Sequence, residues 1–300
     1  MLTDNARGAL MMMGAMASFV SGDALMKLVF TEMPLFQALA VRGVFVTLIF
    51  YILARRMGAL RHALNRRDRV LIGLRVFAEA ASTYFFLSAL AHMPLANVTA
   101  ILQALPLTIT LAGAVFLREA VGWRRWSAIT VGFIGVLLIV RPDADGFDTY
   151  AIMALVAVAF VTLRDLVTRR VSHAVPSMTV ALASAVGVTI FALVGSLSEG
   201  WVMPSGNVRW ALLGTVLTVM SGYLLSVMAM RVGELGVGTP FRYTGLVWAL
   251  VLGYLLFGDW PDRITLAGAG LIVATGLFTL YREHRASQRR LRAAAQAMPR

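Results

Sequence analysis

Apolar positions along the chain fall into ten long blocks, near residues 9–29, 35–54, 70–90, 96–117, 123–140, 150–168, 176–197, 209–230, 237–257 and 264–281. Each block is close to the ~20 residues that an α-helix needs to cross a ~30 Å hydrocarbon layer, and short polar segments separate them. Irregular backbone cannot face lipid, so the pattern predicts an all-α integral membrane protein, a bundle of ten transmembrane helices joined by brief turns. Almost nothing is left over for a soluble domain.

The blocks also repeat. The stretch LANVTAILQALPLTITLAGAVFLREAVGWRRWSAITVGFIGVLLIVRP, Leu95 to Pro142, returns about 140 residues later as GVGTPFRYTGLVWALVLGYLLFGDWPDRITLAGAGLIVATGLFTL. At that shift Thr99 falls on Thr239, Gly113 on Gly253, Glu119 on Asp259 and Leu137 on Leu277, while Phe19 meets Phe160 at 141 and Pro34 meets Pro176 at 142. A nearly constant shift over the whole length divides the chain into a first five-helix unit at 1–145, a second at 146–283, and a basic tail at 284–300. Five is odd, so the second unit enters the membrane from the opposite side and the two repeats are inverted. Inverted repeats are the architecture of many secondary transporters, with the substrate site between the halves near the midplane.

Composition agrees and narrows the chemistry. The chain is 59% hydrophobic and 14% charged with a mean hydropathy of +0.78, against about 25% charged residues in an ordinary soluble domain. It has no cysteine, which excludes disulfides, thiolate metal sites and a thiol nucleophile. The four histidines, His62, His92, His173 and His284, stand singly, so no metal and no cofactor is expected. A nucleophile–base pair at an interface and a Gly-rich Lys-Ser/Thr loop are both missing from the sequence, and neither an enzyme nor an ATP-driven pump is expected. The N-terminus runs straight into a spanning block and is expected to be a retained first helix, not a cleaved signal.

Arginine placement sets an orientation. With the N-terminus cytoplasmic, 19 of the 27 basic residues fall on the inner side and only Arg141, Arg209 and Arg263 on the outer side, a strong positive-inside bias. The net charge of +12 is thereby explained without nucleic acid, since the arginines hug helix ends and lack interleaved aromatics. Both termini are expected in the cytoplasm, with the Arg-rich tail on anionic headgroups of the bilayer. Trp123, Trp126, Trp201, Trp210 and Trp260 lie at predicted helix ends, as interfacial anchors do.

Ten helices in two halves, with a Pro-bearing fourth helix ending Phe116-Leu117-Arg118-Glu119 and answered by Leu256-Phe257-Gly258-Asp259, resemble the EamA-type branch of the drug/metabolite transporter superfamily. Glutamate is commoner in that family where Asp259 stands here. The resemblance covers residues 8–283 and is strongest to bacterial aromatic amino acid exporters. It implies a multi-pass protein of the bacterial inner membrane, monomer or homodimer, that exports amino acids or other small metabolites. An exporter of hydrophobic or cationic drugs is the alternative, and it would require a carboxylate in an apolar cavity with no fixed cation.

Several polar side chains inside the blocks are candidates to line a path. On an ideal helix Thr99, Gln103, Pro106 and Thr110 share one face, and the 140-residue shift carries Gln103 onto Tyr243. The third helix carries Arg75, Glu79, Ser82, Thr83 and Phe86, with Glu79 near the midplane, where an ionised carboxylate is costly unless paired or wet. The expected substrate cavity therefore has Thr99 and Gln103 on one wall, Tyr243 on another, and Glu79, Ser82, Thr83 and Phe86 on a third. Two further charged sets, Asp23, Lys27 and Arg42 on one side and Arg75, Arg164, Asp165 and Arg242 on the other, are expected to gate the two mouths. Asp23 would pair with Arg42 and Asp165 with Arg75 or Arg242, and Pro106 and Pro240 would act as hinges. Trp248 is assigned to packing.

Overall fold

In a computed structural model of the protein, the described residues are 4–61, 64–116, 122–141, 148–172, 174–232 and 239–296. They form helices α1 (Asp4–Val29), α2 (Leu35–Arg56), α3 (Arg66–His92), α4 (Leu95–Leu102), α5 (Leu105–Phe116), α6 (Trp123–Val140), α7 (Thr149–Thr168), α8 (Ser177–Ser196), α9 (Gly206–Val232), α10 (Thr244–Phe257) and α11 (Arg263–Gln296), with 3₁₀ turns at Ala59–Arg61 and Thr239–Tyr243. Ten segments are long and apolar enough to cross a membrane. The fourth is made of α4 and α5, and the ninth of the Thr239–Tyr243 turn plus α10. The Glu119 and Pro142–Gly146 connections and His62 and His173 lie outside the described residues.

Local chemistry places the boundaries. Pro34, Pro94 and Pro176 stand in extended conformation just before α2, α4 and α8, where the missing N–H costs nothing and the preceding helix cannot continue. Asn65 accepts the Asp68 backbone N–H at 2.7 Å to start α3, an N-cap. Gly258, with φ of 70°, closes α10 in the left-handed region that glycine adopts without strain.

The helices pack in pairs drawn one from each half: α1 on α9, α3 on α7, α2 on α8 and α6 on α11. Exchanging the halves converts the first pair into the second and returns the other two to themselves. The pairs are antiparallel, since Gly14 faces Leu225, Phe19 faces Gly222, Gly22 faces Thr218 and Leu25 faces Gly214, one number rising as the other falls. This is the inverted repeat in contact form. A residue that touches its own repeat mate must lie on the pseudo-twofold axis. Thr47 and Thr189, 142 residues apart, have their hydroxyl oxygens 2.9 Å apart, and Gln103 donates its amide to the carbonyl of Tyr243, 140 residues on, at 3.3 Å. Gly135 and Gly268 approach reciprocally at the α6–α11 crossing: a Cβ on either would sit 2.7 or 2.6 Å from the other's carbonyl oxygen. Only glycine at both positions allows this contact.

Both chain ends of the described bundle lie on one membrane face, called here the basic face for its arginines. Toward the opposite, far face the bundle is sealed by apolar cores that bridge the halves. One joins Val20, Met26 and Val29 of α1 to Leu39 of α2, Leu90 of α3 and Leu212 of α9. A second joins Ile101 of α4 to Val136 and Ile139 of α6, Val158 of α7 and Ile272 of α11. Toward the basic face the clusters are smaller and separate, Phe50, Met178, Leu182 and Val216 in one and Ile72, Val175 and Val180 in another. The five tryptophans at helix ends are all exposed.

Candidate functional site: a charged centre between the halves

Glu79 stands thirteen residues from each end of α3, about 20 Å from either end at 1.5 Å per residue. Two arginines hold it. Arg75 Nη2 lies 3.6 Å from Oε2, one turn earlier on the same helix, and Arg164 Nη1 of α7 lies 3.2 Å from Oε1. Arg164 Nε is also 2.8 Å from Asp165 Oδ1. Arg75 donates through Nε to Thr168 Oγ1 at 2.9 Å and through Nη1 to Ser184 Oγ of α8. These side chains keep between 16% and 34% of their surface exposed, so the cluster is not sealed from solvent.

The expected ion pair of Asp165 with Arg75 or Arg242 does not form. Asp165 turns along its own helix to Arg164, while Arg75 is occupied by Glu79, Thr168 and Ser184. The cluster thus stitches α3 to α7 and α8, helices that already pack together, and does not span a mouth. Arg242 remains apart: its side chain is exposed, Asp165 attracts it and Arg164 repels it across the gap, and among the described residues its guanidinium makes no hydrogen bond or ion pair. Three cations and two acids leave this centre with a net charge of +1.

Gln103 sits in the turn between α4 and α5 and donates to the carbonyls of Arg242 and Tyr243, at 3.5 and 3.3 Å. Both inner breaks are thereby joined, one helix interruption satisfying the orphan carbonyls of the other. Pro106 follows in the first turn of α5 and Pro240 lies in the 3₁₀ turn, so the two expected hinge positions coincide with real interruptions. Thr110 is buried and returns its hydroxyl to the Pro106 carbonyl at 2.8 Å. Thr99 and Thr83 are half-buried.

Three expected wall residues face elsewhere. Tyr243 is only 7% exposed and its hydroxyl, with no hydrogen-bond partner among the described residues, rests against Gly276 of α11; its side chain does not line the space beside Gln103. The cause is the 3₁₀ turn, which advances ~120° per residue in place of ~100° and rotates the ring away. Ser82 is buried and donates to the Glu79 carbonyl at 2.9 Å, so its hydroxyl is occupied within α3. Phe86 packs against both far-face cores. Trp248, expected in packing, is 37% exposed.

On the far side Lys27 does not snorkel outward. Its ammonium donates to the carbonyls of Leu90 and Met93 at 3.0 and 2.6 Å and lies 5.5 Å from the Phe257 ring. It caps the last turn of α3 and ties α1 to α3 and α10. Asp23 and Arg42 attract each other but form no ion pair within 4.0 Å, so the expected gate pair is open. Ser184 and Thr168 were not singled out from the sequence, although Ser184 is the repeat mate of Arg42 at a shift of 142. That signal could have found it.

An inverted ten-helix bundle with a charged, accessible centre belongs to the class of membrane transporters. The protein is a member of the EamA-like transporter family, whose model matches residues 6–141 and 148–281, one copy in each half. Among its relatives, the S-adenosylmethionine uptake transporter of Rickettsia conorii is 28% identical over 74% of both chains. The riboflavin transporter of Vibrio cholerae is 32% identical over 72% of this chain and 73% of its own. The pseudopaline exporter CntI of Pseudomonas aeruginosa is 26% identical over 89% of this chain and 93% of its own. These relatives are small-metabolite transporters and do not single out aromatic amino acids. A solved crystal structure superposes with a TM-score of 0.64, covering 93% of this chain and 98% of the other at 19% identity, a likeness of fold alone.

Proposed function

We propose that the protein is a secondary exporter of small amino-acid-like metabolites, working by alternating access between its inverted halves in a bacterial inner membrane, with the basic face cytoplasmic. The observation that carries the substrate class is Arg242: a guanidinium without a hydrogen bond or ion pair among the described residues, which takes an otherwise balanced centre of two arginines and two acids to a net charge of +1. Such a site attracts a carboxylate and repels a simple cation. Gln103, held beside Arg242 by its backbone contacts, keeps its amide oxygen available to an ammonium or hydroxyl. The cationic-drug reading loses ground because it needs an acid free of fixed cations, whereas Glu79 lies between Arg75 and Arg164 and Asp23 lies in the field of Arg42. Export is the direction of the pseudopaline exporter, the relative aligned over 89% of this chain, and the arginine bias supports the orientation.

Counterflow in proteoliposomes tests the reading. Apolar and aromatic amino acids should exchange, Arg242→Gln should weaken them, and cationic dyes and organic phosphates should not compete. Exchange of dyes with no exchange of amino acids would overturn it.

A further inference from the structure

We propose that Asp23 and Arg42 form a two-pronged subsite for the head of a zwitterion, Asp23 taking the ammonium and Arg42 the carboxylate of an α-amino acid. This rests on the amino-acid reading above and adds the place where the molecule is held: Arg242 draws the carboxylate in from the basic face, and Arg42 receives it deeper in the bundle. Within the spanning segments Lys27, Arg75, Glu79, Arg164 and Asp165 all have hydrogen bonds or ion pairs. Asp23 and Arg42, like the Arg242 guanidinium, have none among the described residues, although Asp23 and Arg42 lie in each other's field. Both are half-buried. An acid and a base that attract but stay beyond direct contact leave oxygen lone pairs and guanidinium N–H groups unused in a medium where that is expensive. A molecule carrying both opposite charges on one carbon satisfies the two together; a plain cation or anion satisfies one and leaves the other stranded.

Position agrees with this role. Asp23 shares a helical face with Met16 and Val20, and those two side chains meet Gly245 beside the Gln103 amide: a Cβ on Gly245 would lie 3.7 Å from Val20, 3.8 Å from Gln103 Nε2 and 3.8 Å from Met16 Sδ. Asp23 therefore belongs to the junction of α1, α4 and α10, inside the bundle. Arg42 shares a helical face with buried Ala38, Leu39 and Val46. Immediately beyond, toward the far face, Ala24, Met26 and Val29 are fully buried and Lys27 ties the helices together, so the subsite lies against a closed end.

The repeat explains why this acid stays available. The mate of Asp23 at a shift of 142 is Asp165, and the mate of the preceding Gly22 is Arg164. In the second half Arg164 quenches Asp165 directly. In the first half no side chain stands there, and none fits, because a Cβ on Gly22 would come 2.7 Å from Thr218 Oγ1. The asymmetry between two otherwise matched positions singles out the first-half acid.

The test uses the purified full chain and three probes that share one ring: L-phenylalanine, phenethylamine and 3-phenylpropionate. Wild type should bind the amino acid best. Asp23→Asn should lower its affinity by roughly tenfold or more, as loss of a charged hydrogen bond implies, and leave 3-phenylpropionate unchanged. Arg42→Gln should weaken the amino acid and the acid alike and spare the amine. In the cysteine-free chain, L-phenylalanine should slow thiol labelling of Met16→Cys, on the Asp23 face, and not of Gly200→Cys, which stands in open space. That measurement stands even where an Asp23 or Arg42 variant does not fold. Wild-type affinity in both charge variants, or absence of protection at Met16→Cys, overturns the subsite while leaving amino acid transport in place. If wild type neither binds nor exchanges L-phenylalanine, both the subsite and the reading it rests on fall.

Discussion

The placement of Tyr243 makes a quantitative prediction, because its ring fills a notch that exists only while residue 276 is glycine. A Cβ on Gly276 would lie 1.7 Å from the Tyr243 hydroxyl oxygen and 2.5 Å from Cζ, against about 3.5–4 Å for ordinary contact. An overlap of ~2 Å exceeds what two packed helices absorb by sliding, so in Gly276→Ala the ring must leave the notch. The ring is 93% buried by the complement of its 7% exposure, and emptying such a site costs about 3 kcal/mol. Tyr243→Ala should cost a similar amount for the same reason. Since both substitutions dismantle one contact, the double variant should lose little more than either single one, a coupling of about 2 kcal/mol. Tyr243→Phe should hold or raise stability by up to about 1–2 kcal/mol, because it removes a buried hydroxyl with no partner. Thermal unfolding in detergent measures all four variants, and counterflow measures their transport. Additive losses for Gly276→Ala and Tyr243→Ala, or loss of transport in a stable Tyr243→Phe, would refute the placement.

Three further outcomes are expected. Gly122→Cys and Gly200→Cys, both in open space at opposite ends of the bundle, should react with impermeant maleimide from opposite sides of the membrane, Gly200→Cys from outside; same-side labelling would contradict the inversion. Lys27→Gln should loosen the far end, since two α3 carbonyls lose a charged donor, a loss of about 1.5–3 kcal/mol; thiol labelling of Met33→Cys should accelerate, and an unchanged rate would return Lys27 to a passive role. Finally, the backbone N–H and hydroxyl of Ser205 hold the Glu32 carboxyl below its usual range, and the Thr265 backbone N–H, followed by Arg141, does the same for Asp262. Both groups are lowered on folding, so their contribution is present above the ordinary carboxylate range and lost as pH falls below about 4; Glu32→Gln with Asp262→Asn should flatten the acid limb of the stability profile, and an unaltered limb would show that other carboxylates dominate it.

The spanning helices and their inversion were legible because both are one-dimensional properties: block length against bilayer thickness, and a repeat shift along the chain. The interior was legible only where geometry stays ideal. Gln103, on the stripe of the fourth span, meets the Tyr243 turn of the other half, and the Arg75–Glu79 contact follows from i,i+4 spacing alone. The repeat shift that set Tyr243 opposite Gln103 assumes matching helix geometry in both halves, which the 3₁₀ turn breaks, and Pro240 was the visible warning. The bonds of Arg75 to Ser184 and of Arg164 to Glu79 depend on which helices are neighbours, a fact no single helix encodes. Lys27 was read only as one of a gating set because its acceptors, the carbonyls of Leu90 and Met93, belong to another helix end.

The contacts between residues and their own repeat mates bear on how variants of this protein should be sorted. Suppose the halves exchange roles, so that one state maps onto the other by rotation about the pseudo-twofold axis. Side chains off that axis then find different surroundings before and after, and substituting them tilts the balance between states. Thr47 against Thr189 lies on the axis, and rotation carries the pair onto itself. A substitution there raises the energy of both states equally: the fold weakens, the ratio of inward to outward forms stays where it was, and the cost is blind to direction. Such positions behave as the bearing of the machine, in which wear changes how well it holds together and never which way it points.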